Sequence, residues 1–247
     1  MKRLQIIACR VFERELGALV SEARSEVAIR YLDVGLHERL SSELHDALQA
    51  AIDATPAGQF DAIGVVYGLC NRGLLNVRAR SLPVVVPRAH DCIGLLLGSS
   101  ERYLTQLQEH PGSYFQSPGW VEHLPASRSV LAQSIPVGNG ETITEAELIE
   151  RFGEDDARYL LEQYAGTVAE RRLVYIATPV AGAERWECEA SAMARQHGWA
   201  FSQLQGDLGW LKRLLDGNWT EKEFLVLQPG QRVVPSHDGK LIAAIAP

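Results

Sequence analysis

Hydrophobic and polar positions alternate along residues 1–110 in the pattern of short strands and helices. Runs such as AIGVVY and PVVVP are continuously apolar, which is typical of parallel strands covered by helices on both faces. Helical spacing over 11–24 and 41–54 separates these strands, and a further helix begins near Asp91. This order predicts an N-terminal α/β unit of βαβ type.

Residues 111–145 have a different composition. Pro, Gly and Ser are frequent in HPGSYFQSPGWVEHLPASRSV, so this segment is predicted to be a loop-rich connector. Its aromatic residues, among them Trp120, are unfavourable to expose, and Glu122 and His123 add polar chemistry. We expect either a lid over a site or a loop whose aromatic side chains fill the side of the core.

The rest of the chain, 146–247, returns to the first pattern. A capping-box sequence at its start predicts a helix over 145–165. RLVYIATP, a helix over 182–197, WAFSQLQGD, a helix over 207–216 and EFLVLQPG then repeat the β-α-β-α-β order, and KLIAAIA is consistent with an edge strand. The predicted fold is α/β, with two Rossmann-like βαβαβ halves, mostly parallel sheets and pseudo-duplication.

Composition limits the partners and the location. The 247 residues are 46% hydrophobic and 22% charged, and the formal net charge is -7. No basic run is present, which argues against nucleic acid or an anionic membrane as a partner. Charged residues interrupt the first apolar stretch early, so neither a signal peptide nor a membrane span is expected, and a cytoplasmic location is predicted.

The cysteines are the main candidates for chemistry. Cys9, Cys70 and Cys92 each follow a predicted parallel strand, so we expect them at one carboxyl edge of a sheet. His90 precedes Cys92 by two residues. Thiolates in a reducing compartment commonly bind metals, whereas Cys188, inside a predicted helix, is interpreted as a packing residue.

Two cofactors fit such ligands. Three thiolates and His90 form a zinc set, and three protein ligands leave the open position of a catalytic zinc. Three thiolates also fit a [4Fe-4S] cluster with one iron open to substrate. The His90-x-Cys92 spacing is similar to that of zinc-dependent corrinoid and thiol methyltransferases, although the other thiols precede the pair here; alternatively, His90 caps a helix or bonds an anion.

Further candidates surround the cysteines. His90, His37 and Asp91 are predicted acid–base groups. Fingerprints for NAD and ATP binding are absent from the sequence. The predicted substrate-binding residues, which include Arg88 as the partner of a carboxylate or phosphate group, are Arg88, Gly68, Asn71, Trp120, Glu122 and His123.

Several stretches together resemble a known family. YLDVGLHERL, YGLCNRGL, PRAHDCIGLLLGS, PGSYFQSPGW, FGEDDARYLLE and FLVLQPGQRV are similar to the bacterial and archaeal family called domain of unknown function sixteen thirty-eight. The resemblance implies cysteines at the positions of Cys9, Cys70 and Cys92. It also implies genes near corrinoid-dependent methyltransferases, which favours one-carbon or methyl-group metabolism.

The sequence therefore predicts a metal- or iron-sulfur-dependent protein that acts on a small molecule at an open coordination position. A transferase or a lyase is the enzyme class expected. Two alternatives stay open. One is a metallochaperone or an accessory protein of a corrinoid methyltransferase. The other is a metal-free enzyme in which Cys70 or Cys92 is a nucleophile activated by His90.

Overall fold

The chain is a mixed α/β protein with mostly parallel sheets. The structure is a computed structural model, and it describes residues 1–38, 40–69, 72–110, 113–123, 134–138, 141–167, 171–236 and 239–246. Among these residues, no helix is long and apolar enough to cross a membrane.

The first part of the chain alternates strands and helices as predicted. Its elements are β1 (Arg3–Cys9), a 3₁₀ turn (Arg10–Phe12), α1 (Glu13–Val20), β2 (Glu26–Leu32), a second 3₁₀ turn (Val34–Glu38), α2 (Ser41–Asp53), β3 (Ala62–Val66), β4 (Val84–Pro87), α3 (Cys92–Leu96) and α4 (Ser100–Glu109).

The rest of the chain contains further strands and helices. They are β5 (Ser113–Gln116), α5 (Pro118–His123), β6 (Ser134–Gly138), β7 (Glu141–Thr144), α6 (Glu145–Phe152), α7 (Glu154–Thr167), β8 (Arg172–Ala177), α8 (Ala183–Gln196), β9 (Ala200–Gln205), α9 (Gly209–Leu215), β10 (Phe224–Leu227), β11 (Arg232–Pro235) and β12 (Ile242–Ile245).

The first sheet has the strand order β10-β4-β3-β1-β2. Strands β1 to β4 are parallel, and β10 runs antiparallel to β4 at the edge. All residues of β3 and β4 are buried, which confirms that the continuous apolar runs predict strands covered on both faces. We call this sheet and its helices the first unit.

The second sheet is smaller and parallel, with the order β5-β8-β9. Helix α8 covers it through Trp186, Ala190 and Met193. This sheet with α5 and α8 forms the second unit. Cys188 is exposed on α8, so its interpretation as a packing residue is wrong: it lies two residues from Trp186, on the opposite face of the helix.

The chain returns to the first unit after β9. Helix α9 packs its Trp210 and Leu211 into the core of the first sheet, and β10 pairs with β4 rather than with β9. Strands β11 and β12 form a separate antiparallel hairpin. The third strand of the predicted C-terminal repeat, β10, is therefore an edge strand of the first sheet.

The predicted connector contains regular structure. Residues 113–123 form β5 and α5, because Tyr114 stacks on Trp199 with ring centroids 4.6 Å apart and Phe115 packs edge-on against Tyr103. Residues 124–133 lie outside the described part. The helix predicted over 145–165 is two helices, because Gly153 has a φ of 82° that ends the first one.

Candidate functional site

The first sheet has a topological switch point between β1 and β3. From β1 the chain passes to β2 on one side and then to β3 on the other. Ligands of open α/β sheets bind outside the carboxyl ends of the strands at such a point. Cys9 is the last residue of β1 and is 3% exposed, so its thiol lies at this edge.

The joint that connects β4 to α3 folds across the end of β3. The amide of Leu69 donates a hydrogen bond to the carbonyl of Ala89 at 2.9 Å. A Cβ on Gly68 would lie only 2.3 Å from the Cα of Asp91, so only glycine allows this approach. The contact holds Asp91, the residue before Cys92, against the segment that follows β3.

Asp91 ends the joint as the N-cap of α3. Its Oδ1 accepts hydrogen bonds from the amides of Ile93 at 2.9 Å and Gly94 at 3.1 Å. Burial raises the pKa of this carboxyl to about 6, against the opposing effect of hydrogen bonds from Tyr103 and the two amides. The predicted acid–base residue therefore has an observed capping role, since its carboxylate is bonded to the helix.

The cysteines are only partly described. Cys92 is the first residue of α3 and is 6% exposed, and both it and Cys9 carry thiols outside any disulfide. Cys70 and Asn71 lie outside the described residues. Within the described part of the chain, no group of three or more His, Cys, Asp or Glu side chains is arranged to hold a metal ion. That search does not include Cys70.

The two histidine candidates differ in what is known of them. His90 lies in the joint between β4 and α3, beside the capping residue, and is partly buried. His37 lies in the 3₁₀ turn Val34–Glu38 that follows β2, and its side chain is outside the described part. His90 is thus the histidine whose position in the chain adjoins a described thiol.

Arg88 was predicted to bind an anionic group of a substrate. Its guanidinium instead donates hydrogen bonds to the main-chain carbonyls of Glu221 and Lys240, each at 2.9 Å, and to that of Ile242. These contacts tie the end of β4 to the β11–β12 hairpin. The sequence pattern does not reveal these acceptors, because they come from segments far along the chain.

Helix α5 packs on the turn Arg10–Phe12, which follows Cys9. A Cβ on Gly119 would lie 1.8 Å from the carbonyl oxygen of Val11, in the turn after β1. Glu122 pairs with Arg14 through both carboxylate oxygens, and His123 Nε2 lies 3.0 Å from an oxygen of Glu13.

The residues of α5 predicted to bind substrate therefore make contacts within the protein. Glu122 and His123 pair with α1, and Trp120 is partly buried against the core of the first unit. The segment is a docked helix that covers the turn after β1.

Residues that follow the carboxyl ends of β8 and β9 contact the first unit. After β8, the hydroxyl of Thr178 donates to Glu15 of α1 at 2.7 Å. After β9, the amide of Asp207 donates to the carbonyl of Leu96 at the end of α3, at 2.9 Å. Contacts of the second unit thus flank the first sheet's edge on the β1 side and on the β4 side.

Glu15 is a residue that the sequence reading missed. It is 0% exposed, and burial raises the pKa of its carboxyl to about 7 although the hydrogen bond from Thr178 favours the charged form. A signal for it exists in the sequence. Glu15 follows the buried Phe12 by three residues and so falls on the inner face of the helical segment.

One of the comparisons with known proteins, that with family models, agrees with the resemblance in the sequence. No curated protein matches the chain. A crystal structure of a substitution variant of SsGBP is similar at 12% identity, over 87% of this chain and 96% of that one, with a TM-score of 0.25. The family described as a protein of unknown function (DUF1638) matches residues 31–215, which include Cys70 and Cys92 and begin after Cys9. Since this match spans more than half of the sequence, the chain belongs to the DUF1638 family.

Proposed function

We propose that the carboxyl edge of the first sheet binds a metal ion or a [4Fe-4S] cluster through Cys9, Cys70 and Cys92, and that the bound group acts on a small molecule. The observation that carries this proposal is the contact of Gly68 with Asp91, which sets the Cys92 joint over the end of β3. Strand β3 is the direct neighbour of β1, on which Cys9 lies.

Strand spacing supports the fit of these donors. Neighbouring strands are about 4.8 Å apart, so β1 and β4 are separated by roughly 10 Å across β3. Sulfur ligands of one zinc ion, each about 2.3 Å from the metal, lie no more than about 4.6 Å apart. A lean of the joint by one strand spacing toward β1 would reduce this separation to about 5 Å, a range compatible with either zinc or a cluster.

The roles of the residues follow from their positions. Cys9, Cys70 and Cys92 would supply thiolates, and His90 would be the fourth ligand or would orient the ligands through a hydrogen bond. When bound, the group would supply a Lewis-acidic open position. The small molecule, for which we propose a thiol or a methylated amine, would enter at the carboxyl edge of the first sheet, a usual place for ligand sites.

The proposal also covers the reaction class, the location, the partner and the relation between the two halves of the chain. A transferase or lyase in methyl-group metabolism and a corrinoid methyltransferase as partner are proposed from the resemblance, and a cytoplasmic location is proposed from the sequence composition. A pseudo-duplicated pair of Rossmann-like halves is supported by the parallel order β5-β8-β9 beside the parallel strands of the first sheet.

Metal analysis of cysteine variants tests the proposal. The full chain is purified without oxygen, and zinc, iron and acid-labile sulfide are measured in the wild type and in Cys9→Ser, Cys70→Ser and Cys92→Ser. We expect stoichiometric zinc, or iron with sulfide, in the wild type and at least a tenfold loss in each variant, because serine replaces a thiolate ligand.

Cys188→Ser is the matched control, because this cysteine is exposed on α8, away from the cysteine edge. It should keep the full metal content. Equal metal in all four variants would refute the assigned ligands. A wild type without metal, inactivated by thiol alkylation, would favour the cysteine-nucleophile alternative.

A further inference from the structure

Glu15 is an acidic side chain buried between the two units. Its Oε1 accepts the hydrogen bond from Thr178, while its Oε2 is buried and has no hydrogen-bond partner among the described residues. Glu15 lies on α1 and Thr178 follows β8, so the carboxyl group joins the first unit to the second. A buried carboxylate that is not fully bonded is unstable in its charged form.

The guanidinium beside it is engaged elsewhere. Arg14 binds both carboxylate oxygens of Glu122 on α5, and it also lies 5.1 Å from the ring centroid of Trp186 on α8. Arg14 therefore ties α1 to two elements of the second unit, and among the described residues the Glu15 carboxyl has no direct ion pair. A proton on Glu15 is the alternative way to avoid the buried charge.

The position of the Glu15–Thr178 contact allows it to affect how the two units are held together. It lies on the β1 side of the first sheet, next to the turn that follows Cys9. On the β4 side, the chain returns to the first unit through residues 206–208, where Gly206 and Asp207 contact Leu96. Release of the β1 side alone would let the second unit swing about that connection, as in hinge motions between units joined by short connections.

We propose that Glu15 is a proton-operated latch: protonated, it holds α1 against the end of β8, and ionised, it releases the second unit from the β1 side of the first sheet. This device does not depend on which group the cysteines bind. It would control access to the carboxyl edge of the first sheet.

The direction of the pH dependence follows from the shift of the carboxyl. In the closed form the pKa of Glu15 is raised to about 7, against an ordinary value of 4.5. Closing is therefore most favourable below pH 4.5 and weakens as the pH rises to about 7, where the closed form also ionises. Over this interval the opening constant should rise about 100-fold, on the order of tenfold per pH unit.

Other ionisable groups share this interface, and each must be separated from Glu15. Glu122 keeps its charge to a lower pH, because its hydrogen bond with Arg14 lowers its pKa. Burial raises the pKa values of Tyr31 and Tyr175, which stay neutral in this range. His123, whose Nε2 lies 3.0 Å from an oxygen of Glu13, is separated from Glu15 by a variant of its own. The charged or titratable groups around Glu15 are Arg10, Glu13, Arg14, Tyr31, Glu122, His123, Tyr175, Glu184, Arg185 and Glu187.

Hydrogen exchange measured by mass spectrometry on the full chain tests the latch. Protection factors, corrected for intrinsic exchange, are followed from pH 4.5 to 7.5 in peptides that cover α1 and α5. The wild type should lose about 100-fold in protection in these peptides, while peptides from β3 and β4 stay unchanged. Glu15→Gln keeps an acceptor for Thr178 but cannot ionise, so its protection should not vary with pH.

Two further variants complete the test. His123→Gln should retain the full pH response; loss of the response in this variant would assign the switch to His123 and overturn the proposal. Glu122→Gln frees Arg14 to pair with Glu15, so the pH at which protection is lost should decrease. If Glu15→Gln does not fold, this shift in Glu122→Gln is the test of the latch. A flat wild-type profile, or an unchanged response in Glu15→Gln, would refute the latch.

Discussion

The Arg88 guanidinium donates hydrogen bonds to three main-chain carbonyls of the same chain. It reaches carbonyl groups before and within the β11–β12 hairpin, far away in the sequence. Arginine suits this role because its planar group presents several fixed donors and stays charged. The side chain thus secures the C-terminal hairpin to the end of β4, next to the joint that carries Cys92.

Arg88→Lys should destabilise the protein by about 2 kcal/mol, because an ammonium group cannot bond three divergent carbonyls and leaves charged-group hydrogen bonds unmade. Urea unfolding measures this loss, and hydrogen exchange should increase in β12. Arg30→Lys, at an exposed position of β2, is the matched control and should change the stability by less than about 0.5 kcal/mol. Equal stability of the two variants would refute the structural role.

At the scale of elements, the decisive feature is the joint between β4 and α3. The sequence indicated a strand, a turn and a helix there, and it identified Asp91 as the start of the helix. It did not reveal that the joint leans over β3, because this depends on a contact between Gly68 and Asp91 that are far apart in the chain. Gly68 was predicted to lie near a ligand; the structure gives it a close contact with backbone instead.

Gly68→Ala should lower the free energy of unfolding by roughly 2 kcal/mol or more, because its Cβ would meet backbone atoms that cannot move aside. It should also weaken metal binding by displacing Cys92. Urea unfolding and metal analysis measure the two effects.

Gly17→Ala provides the control for this substitution. Gly17 lies on α1 with no atom within 4 Å of its added Cβ, and alanine there should stabilise the helix by about 0.5 to 1 kcal/mol. A Gly68→Ala protein as stable and as metal-rich as the wild type would contradict the packing of the joint.

At the scale of the whole molecule, a mostly parallel sheet and a smaller parallel sheet are joined by contacts of residues that follow β8 and β9. The positions of many strands along the chain could be predicted from the sequence. Apolar runs and helical spacing marked β1 to β4 and β8 to β10 within a few residues. Partners between distant strands were not readable. The pairing of β10 with β4 and the docking of β5 beside β8 depend on tertiary contacts that local patterns do not encode.

The candidate site shows the same division. Strand ends could be located from the sequence, so Cys9 and Cys92 were correctly placed at the end of β1 and the start of α3. The partners of Arg88 and Glu122 could not be predicted from the sequence, because they are distant in the chain and become neighbours only in the fold. Glu15 was passed over because an acid on an apolar helix face is rare.

X-ray absorption spectroscopy on the full chain, purified without oxygen, tests the central claim most directly, because it counts the sulfur ligands of the bound metal. For zinc, the proposal predicts three sulfur neighbours at about 2.3 Å and one lighter neighbour. For a cluster, it predicts iron surrounded by sulfur with further iron atoms close by. A metal bound only by nitrogen and oxygen, or no stoichiometric metal at all, would contradict the three-thiolate site.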